Sequence, residues 1–584
     1  MAWYDEAIFY HIYPLGLTGA PKHNSYGKAV HRLKEIIPWI SHVSRIGCNA
    51  IYIGPLFESV GHGYETTDYK KLDSRLGTND DLKNFVHACH KQNIRVIFDG
   101  VFNHTGRDFF AFLDIKNNRE HSQYKDWYCN VNFYGNNEYN DGFSYDNWGG
   151  YNLLVKLNQH NPAVRDYICD VIRFWVNEFD VDGIRLDAAD VLDFDYMKAL
   201  RQVANEVKPD FWLMGEVIHG DYTRWANSDT LHSVTNYHLH KALYSGHNDH
   251  NYFEIAHTVK RLYDMGGNRP DGLKLYNFVD NHDVERIYTK LINKQHFFPV
   301  HVLLYTLPGV PSIYYGSEFG IEGRKEYGSD DSLRPALNIE DYKDSLSNNE
   351  CTKIIATLGK IRSSYKTLSY GSYKELMLTN RQYAFARQHS GKTVIVAVNN
   401  DDNPATINIS AEGIEKFTGT IFGMTVVADN GRICFELPAN SGEILVPADI
   451  CNDVSPANVD VEKIAVSMHN TDCPNCVSSH NLIDTLPDRA SDDLSDNPDV
   501  SADKALGEST ENVPDENISQ LYAPDSEEIL RRTNANPECA SIEELQCAIL
   551  SRMAGNGPVT DQMRRTVIEN THHGSLVNWL RSFR

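Results

Sequence analysis

No apolar run in this chain of 584 residues approaches the roughly 18–20 residues that cross a bilayer, so no membrane partner is expected. Cations are the minority: 55 Lys and Arg stand against 79 Asp and Glu, a formal charge of −24. A nucleic-acid backbone calls for clustered Lys and Arg, so no nucleic-acid partner is expected either. Cysteine is sparse and odd in number at 11, and its scatter fits reduced thiols better than a disulfide framework. The tight pair Cys473 and Cys476 lacks a second pair at zinc-ribbon spacing. Met1–Pro14 has no basic stretch leading into an apolar one, which predicts no secretory signal and a cytoplasmic location.

What the chain does hold is aromatic surface, 11% of residues with 32 Tyr. A large core would absorb most of it, and flat rings also pack on the C–H faces of sugars; composition leaves both open. An uncharged substrate needs no electrostatic steering and suits an acidic chain.

Up to about residue 366, short apolar runs alternate with amphipathic stretches. Ile8–Tyr13, Ala50–Ile53, Arg95–Phe98, Gly183–Leu186, Trp212–Met214, Ser233–Thr235, Lys274–Phe278 and Ser312–Tyr315 read as buried strands. Val30–Ile46, Asp80–Gln92, Ala163–Glu178 and Phe253–Met265 read as helices between them. Eight strands alternating with helices predict an α/β fold, a closed (β/α)₈ barrel over 1–366. After the third strand about 55 residues pass before the next predicted helix, too long for a plain loop, so 104–158 is read as an inserted subdomain. Short β-branched runs broken by Asn, Asp and Gly turns predict an antiparallel β-sandwich over 367–450. Residues 451–527 are acidic and poor in large apolar groups, which predicts a disordered linker. The final stretch, 528–584, reads as a small helical tail opened by the capping pattern Ser541-Ile-Glu-Glu544, and nothing in it names a partner.

Four acidic signals fall just beyond predicted strands. They are Asp99 with Asn103 and His104 after the third, Asp187 after the fourth, Glu216 after the fifth, and His282-Asp283 after the seventh. A lone Asp after a strand is more often a helix cap, Arg185 with Asp187 could be a structural ion pair, and the histidines could be satisfied core residues. All four in register at one barrel end argue for chemistry, because barrel active sites are built there. Retaining glycoside hydrolysis needs two carboxyls about 5–5.5 Å apart, one a nucleophile and one an acid that becomes a base. Period-2 alternation places Arg185 and Asp187 on one side of the strand, where the guanidinium would hold the carboxylate ionised. Apolar neighbours around Glu216 would raise its pKa, as a general acid requires.

In order, these segments resemble the four signature regions of the α-amylase family, glycoside hydrolase family 13. His11-Ile-Tyr-Pro14, Gly63-Tyr64 through Asp68-Tyr69, Leu157-Asn158 before Asn161-Pro162, and Pro308 through Gly316 resemble further motifs of it. The resemblance covers roughly 5–448. It implies hydrolysis of α-1,4-glucosidic bonds in malto-oligosaccharides through a covalent glycosyl-enzyme. It assigns Asp187 as nucleophile, Glu216 as acid/base and Asp283 as the carboxylate that stabilises the transition state. It also implies sugar contacts for Tyr64, Asp99, His104, Arg185, His282 and, more loosely, Arg334. Asn103 matches a position at the pocket floor.

Two departures matter. Asp190 and Val191 hold slots that carry Lys-His in many α-amylases, and the His contributes to a calcium site there. No cofactor is therefore expected to be required and no metal ligand is assigned, although Asp141 and Asp146 keep calcium possible. Val155–Asn158 resembles the version found in neopullulanases, cyclomaltodextrinases and maltogenic amylases. Those relatives usually dimerise through an added N-terminal domain for which this chain has no room, so that route is not expected. A transglycosylase or isomerase on the same scaffold, and a non-catalytic sugar-binding protein, are the alternative readings.

Overall fold

The computed structural model describes residues 2–267, 272–326 and 329–450, together with Ile549. The predicted linker and helical tail, with Cys473 and Cys476, lie outside the described residues. Apart from Ile549, everything described belongs to one compact unit within 1–478.

Eight parallel strands form the centre: β1 Phe9–Ile12, β2 Ala50–Ile53, β3 Arg95–Gly100, β4 Gly183–Leu186, β5 Trp212–Gly215, β6 Ser233–Val234, β7 Tyr276–Phe278 and β8 Val310–Tyr314. Neighbouring strands pair in the order β6-β5-β4-β3-β2-β1-β8-β7. The parallel bridge between Thr235 and Tyr276 joins the two ends, so the sheet is a closed barrel. All eight strands match the sequence reading in place, with ends differing by a residue or two.

Inward positions follow the period of two. Phe9, Ala50, Tyr52, Ile97, Trp212, Met214, Tyr276, Phe278 and Val310 form one buried cluster inside the barrel. Phe9 and Trp212 stack there with ring centres 5.0 Å apart. One step further along the same faces the apolar layer gives way to Asp99 and Arg185, which pair across β3 and β4. The barrel thus has an oily lower half and a charged upper rim. Gly54, just past β2, permits this crowding, since a Cβ there would lie 2.3 Å from the Asp99 Cβ.

The insert after β3 is not a bare loop. It holds the helix Phe110–Asn118 and a small sheet of His104–Thr105, Tyr151–Lys156 and Asn147–Trp148. The helix escaped the sequence reading because its apolar residues do not form a clean stripe; they pack on local aromatics such as Tyr128, Phe143 and Tyr145. Asp141, a possible ion ligand by sequence, is instead paired with Arg107 at 2.8 Å, and Asp146 accepts from Asn130 at 2.8 Å.

Beyond the barrel, a six-stranded antiparallel sheet lies against a two-stranded one of Ala405–Ser410 and Arg432–Leu437. One face of the larger sheet (Ala384, Ala386, Ile395, Ala397, Leu445) packs on Ile407, Ile409 and Ile433. Its other face (Phe385, Val394, Val396, Val398, Ile444) joins the barrel's core. Burial on both faces explains why Lys392–Asn399 reads as continuously apolar rather than alternating.

At the lower rim, opposite the charged one, Asp182 gathers nitrogen donors from three elements. His90 lies 2.7 Å away, Arg95 2.9 Å and Lys208 2.9 Å, and Val96 N–H donates to it at 2.9 Å. Burial alone would raise its pKa; the bonds to His90, Lys208 and Val96 outweigh burial and bring it down to about 2. A depressed carboxyl stabilises the fold above its unfolded pKa of about 3.9, and that contribution fades as pH falls towards 2. Asp182→Asn should therefore cost about 2 kcal/mol at pH 7 in urea denaturation, and the difference from wild type should shrink between about pH 4.5 and pH 3.

Candidate active site

The upper rim is built by extending the parallel ladder one residue past its strands. Asp187 N–H donates to the Gly100 carbonyl at 3.0 Å and Glu216 N–H to the Leu186 carbonyl at 2.9 Å. Both backbones are therefore fixed before their side chains begin. Ala188, directly after Asp187, sits in the left-handed region at φ 47°, a turn that costs a non-glycine residue energy. That turn aims the Ala188 N–H at Glu216 Oε2, 3.1 Å away.

Arg185 is the centre of the site and is only 3% exposed. Its Nη1 meets Asp99 Oδ1 and Asp187 Oδ1, both at 2.9 Å, and its Nη2 meets Glu216 Oε2 at 2.9 Å. One guanidinium thus ties β3, β4 and β5 together through three carboxylates. Asp99 also accepts from Tyr52 OH at 2.8 Å and Tyr64 OH at 3.2 Å, which leaves it a structural anchor under the guanidinium. Tyr237 OH reaches Glu216 Oε1 at 3.4 Å and accepts from Asn281 Nδ2 at 3.2 Å.

Burial raises the pKa of Glu216, with Arg185 opposing and Asp283 adding to the rise. Burial likewise lifts Asp187 well above the carboxylate range, with Arg185 opposing and Glu216 adding. Arg185 opposes the rise at Asp187 without cancelling it, because the guanidinium is shared among three acids. The two carboxyls titrate as a pair that holds a proton above the usual range.

Asp283 faces this group from β7. Asn281 Oδ1 accepts its N–H at 2.8 Å, a turn that fixes the backbone. Arg334 Nη2 meets its Oδ1 at 2.9 Å and His282 Nε2 its Oδ2 at 3.1 Å. Arg334 also donates Nε to the His282 carbonyl at 2.9 Å and lies over the Tyr13 ring. The rings of Tyr13 and Tyr64 lie nearly parallel to His282, each 5.8 Å from it, and Tyr64 OH is hydrogen-bonded to His282 Nε2.

His104 lies at the mouth of the insert with its ring 6.0 Å from Trp148, which is 38% exposed. Asp99, Asp187, Glu216 and Arg185 thus form one bonded cluster, and Asp283, Arg334, His282 and Tyr64 a second, joined to the first where Tyr64 reaches Asp99. The His104 ring bonds Asn103, which belongs to neither cluster. Tyr52 and Tyr237 were not singled out by sequence; Tyr52 occupies an inward position of β2, the signal that could have found it.

The calcium site that the resemblance raises does not fit the residues present. Asn103 Oδ1 is taken by Gln159 Nε2 at 3.1 Å, position 191 is an exposed valine, and among the described residues no group of three or more His, Cys, Asp or Glu is arranged to hold a metal ion.

Two family models match the chain: the α-amylase catalytic domain over residues 21–365 and the α-amylase C-terminal domain over 371–445. A cyclomaltodextrinase from a Bacillus species is 31% identical over 424 residues, covering 68% of this chain and 74% of that protein. An intracellular maltogenic amylase of Bacillus subtilis is 27% identical over 388 residues, covering 66% of this chain and 64% of that one. Among solved structures, a debranching enzyme of Nostoc punctiforme superposes with a TM-score of 0.65 at 26% identity, covering 76% of this chain and 98% of that one.

Removing Arg185 leaves three buried carboxyls without their cation. Arg185→Met should cost about 3–5 kcal/mol at pH 7. Acids with raised pKa values destabilise the fold as pH climbs past their unfolded values, so the deficit should shrink when urea midpoints are measured at pH 5.

Proposed function

The chain belongs to the α-amylase family of glycoside hydrolases, and from that premise we propose that it cleaves α-1,4-glucosidic bonds of malto-oligosaccharides with retention of configuration. The observation that carries this reading is the pair Asp187 and Glu216, bridged by one guanidinium at the ends of β4 and β5. Asp187 attacks the anomeric carbon while Glu216 gives its proton to the departing glycosidic oxygen. Glu216, now ionised, takes a proton from water, and the resulting hydroxide equivalent displaces Asp187. Positive charge builds on the sugar ring in both steps, and the surrounding carboxylates stabilise it in a buried site where no solvent need reorganise. Asp283, held by Arg334 and His282, is placed to bond sugar hydroxyls whose hydrogen bonds strengthen as that charge develops. Tyr64 and Trp148 offer ring faces on which sugars stack.

The substrate class is drawn from the α-glucan relatives, and a cytoplasmic location from the intracellular one and from the free thiols among the described residues. No cofactor enters the reaction. Dialysis against EDTA should leave the rate of maltoheptaose cleavage within about twofold, since no metal assists an oxocarbenium mechanism of this kind. A large loss restored by calcium would contradict this.

Fluoride leaves without a proton, so α-maltosyl fluoride separates the two roles. Asp187→Asn should lose roughly 10⁴-fold or more on both maltoheptaose and the fluoride, a drop of about 5.5 kcal/mol in barrier lowering. Glu216→Gln should lose a similar factor on maltoheptaose yet still form the glycosyl-enzyme from the fluoride, visible as a mass increase on the intact chain. Equal losses on both substrates would refute the assignment of Glu216, and an active Asp187→Asn would refute that of Asp187.

A further inference from the structure

Gln159 sits at the exit of the insert and takes no part in the chemistry above, yet its side chain is almost wholly buried between two loops of the upper rim. Its Oε1 accepts the backbone N–H of Asp193, the residue that caps helix Phe194–Val207, at 2.6 Å. Its Nε2 donates to Asn103 Oδ1 at 3.1 Å. Asn103 Nδ2 then faces His104 Nδ1 at 3.2 Å. Asn103 and His104 are themselves fully buried.

The direction of this chain is set at its first link. A backbone N–H can only donate, so Gln159 must present its oxygen there and its amide nitrogen to Asn103. Asn103 must then accept with its oxygen and donate with its nitrogen. The donated hydrogen lands on His104 Nδ1, which must therefore carry a lone pair. Burial pushes the His104 pKa down to about 3, partly offset by the backbone of Tyr64, so the ring is neutral and holds one proton. Nε2 is buried without a partner within hydrogen-bond distance.

We propose that Gln159 is a positioning residue whose amide relays the polarity of the Asp193 N–H through Asn103 and locks His104 as the Nε2–H tautomer, a hydrogen-bond donor for a sugar oxygen. The tautomer follows from the three bonds alone; the sugar contact rests on the proposed function. The same amide joins the insert's exit to the loops after β3 and β4, holding the insert in place through side-chain hydrogen bonds.

The test uses the full-length chain labelled with ¹⁵N-histidine, with His104 assigned by the signal missing from His104→Gln. Long-range proton–nitrogen spectra of the free protein should show His104 protonated at Nε2. In Gln159→Glu a carboxylate oxygen faces Asn103, so the amide of Asn103 turns over and the ring proton moves to Nδ1. Asn103→Asp presents an acceptor to His104 directly and should give the same switch from the next link. In either variant His104 offers a lone pair where it had offered a proton, and KM for maltoheptaose should rise about 10-fold with kcat changed less than threefold, the scale of one lost hydrogen bond. A wild-type ring protonated at Nδ1, or an unchanged Nε2–H ring in both variants, would overturn the relay. A tautomer switch with KM unchanged would uphold the relay and refute the sugar contact of His104.

Discussion

The Arg185 guanidinium is the constraint on which the rest of the site depends. It lies inside the barrel, where a lone charge would be intolerable, and it is tolerated because three carboxylates from three strands converge on it. The dependence runs both ways. Asp99, Asp187 and Glu216 could not share so small a volume without a cation between them. Asp99 is bound by Tyr52 and Tyr64 and steadies the guanidinium; Asp187 and Glu216 are the two members whose side chains keep some exposure. A reaction that builds positive charge on a sugar meets a cluster whose own positive charge is already shared out.

The two rims of the barrel solve the same electrostatic problem for different ends. At the lower rim Asp182 is one carboxylate among three nitrogen-bearing side chains, its pKa falls, and the arrangement strengthens the fold. At the upper rim several carboxylates share one guanidinium, the pKa values of Asp187 and Glu216 rise, and the fold bears a cost. The raised pKa of Glu216 is what a general acid at neutral pH needs. The strained turn at Ala188 belongs to the same cost, since it brings a backbone N–H onto Glu216.

Much of this was legible in the sequence because the barrel's period of two is local. Gly183 through Asp187 announces a buried strand, a cation facing inward and an acid at the tip without reference to any other segment. Sharing was not legible, since nothing local to Arg185 says that Asp99 and Glu216 arrive at its other edges. The helix Phe110–Asn118 was missed because its partners are aromatics brought in by the insert's own folding, and no clean apolar stripe marks it. Gln159 was invisible for the opposite reason: an amide before a helix is common, and its meaning lies wholly in the backbone N–H and the side chain that it bridges.

The central claim is that Asp187 and Glu216 act as a nucleophile and acid/base pair within one guanidinium's reach. It predicts two displacements at the anomeric carbon, the first breaking the glycosidic bond and the second the bond to Asp187. Proton NMR of maltoheptaose hydrolysis, recorded in the first minutes before mutarotation, reads this directly. The account predicts that the new reducing ends appear first as the α-anomer. First appearance of the β-anomer would mean a single displacement by water and would contradict it.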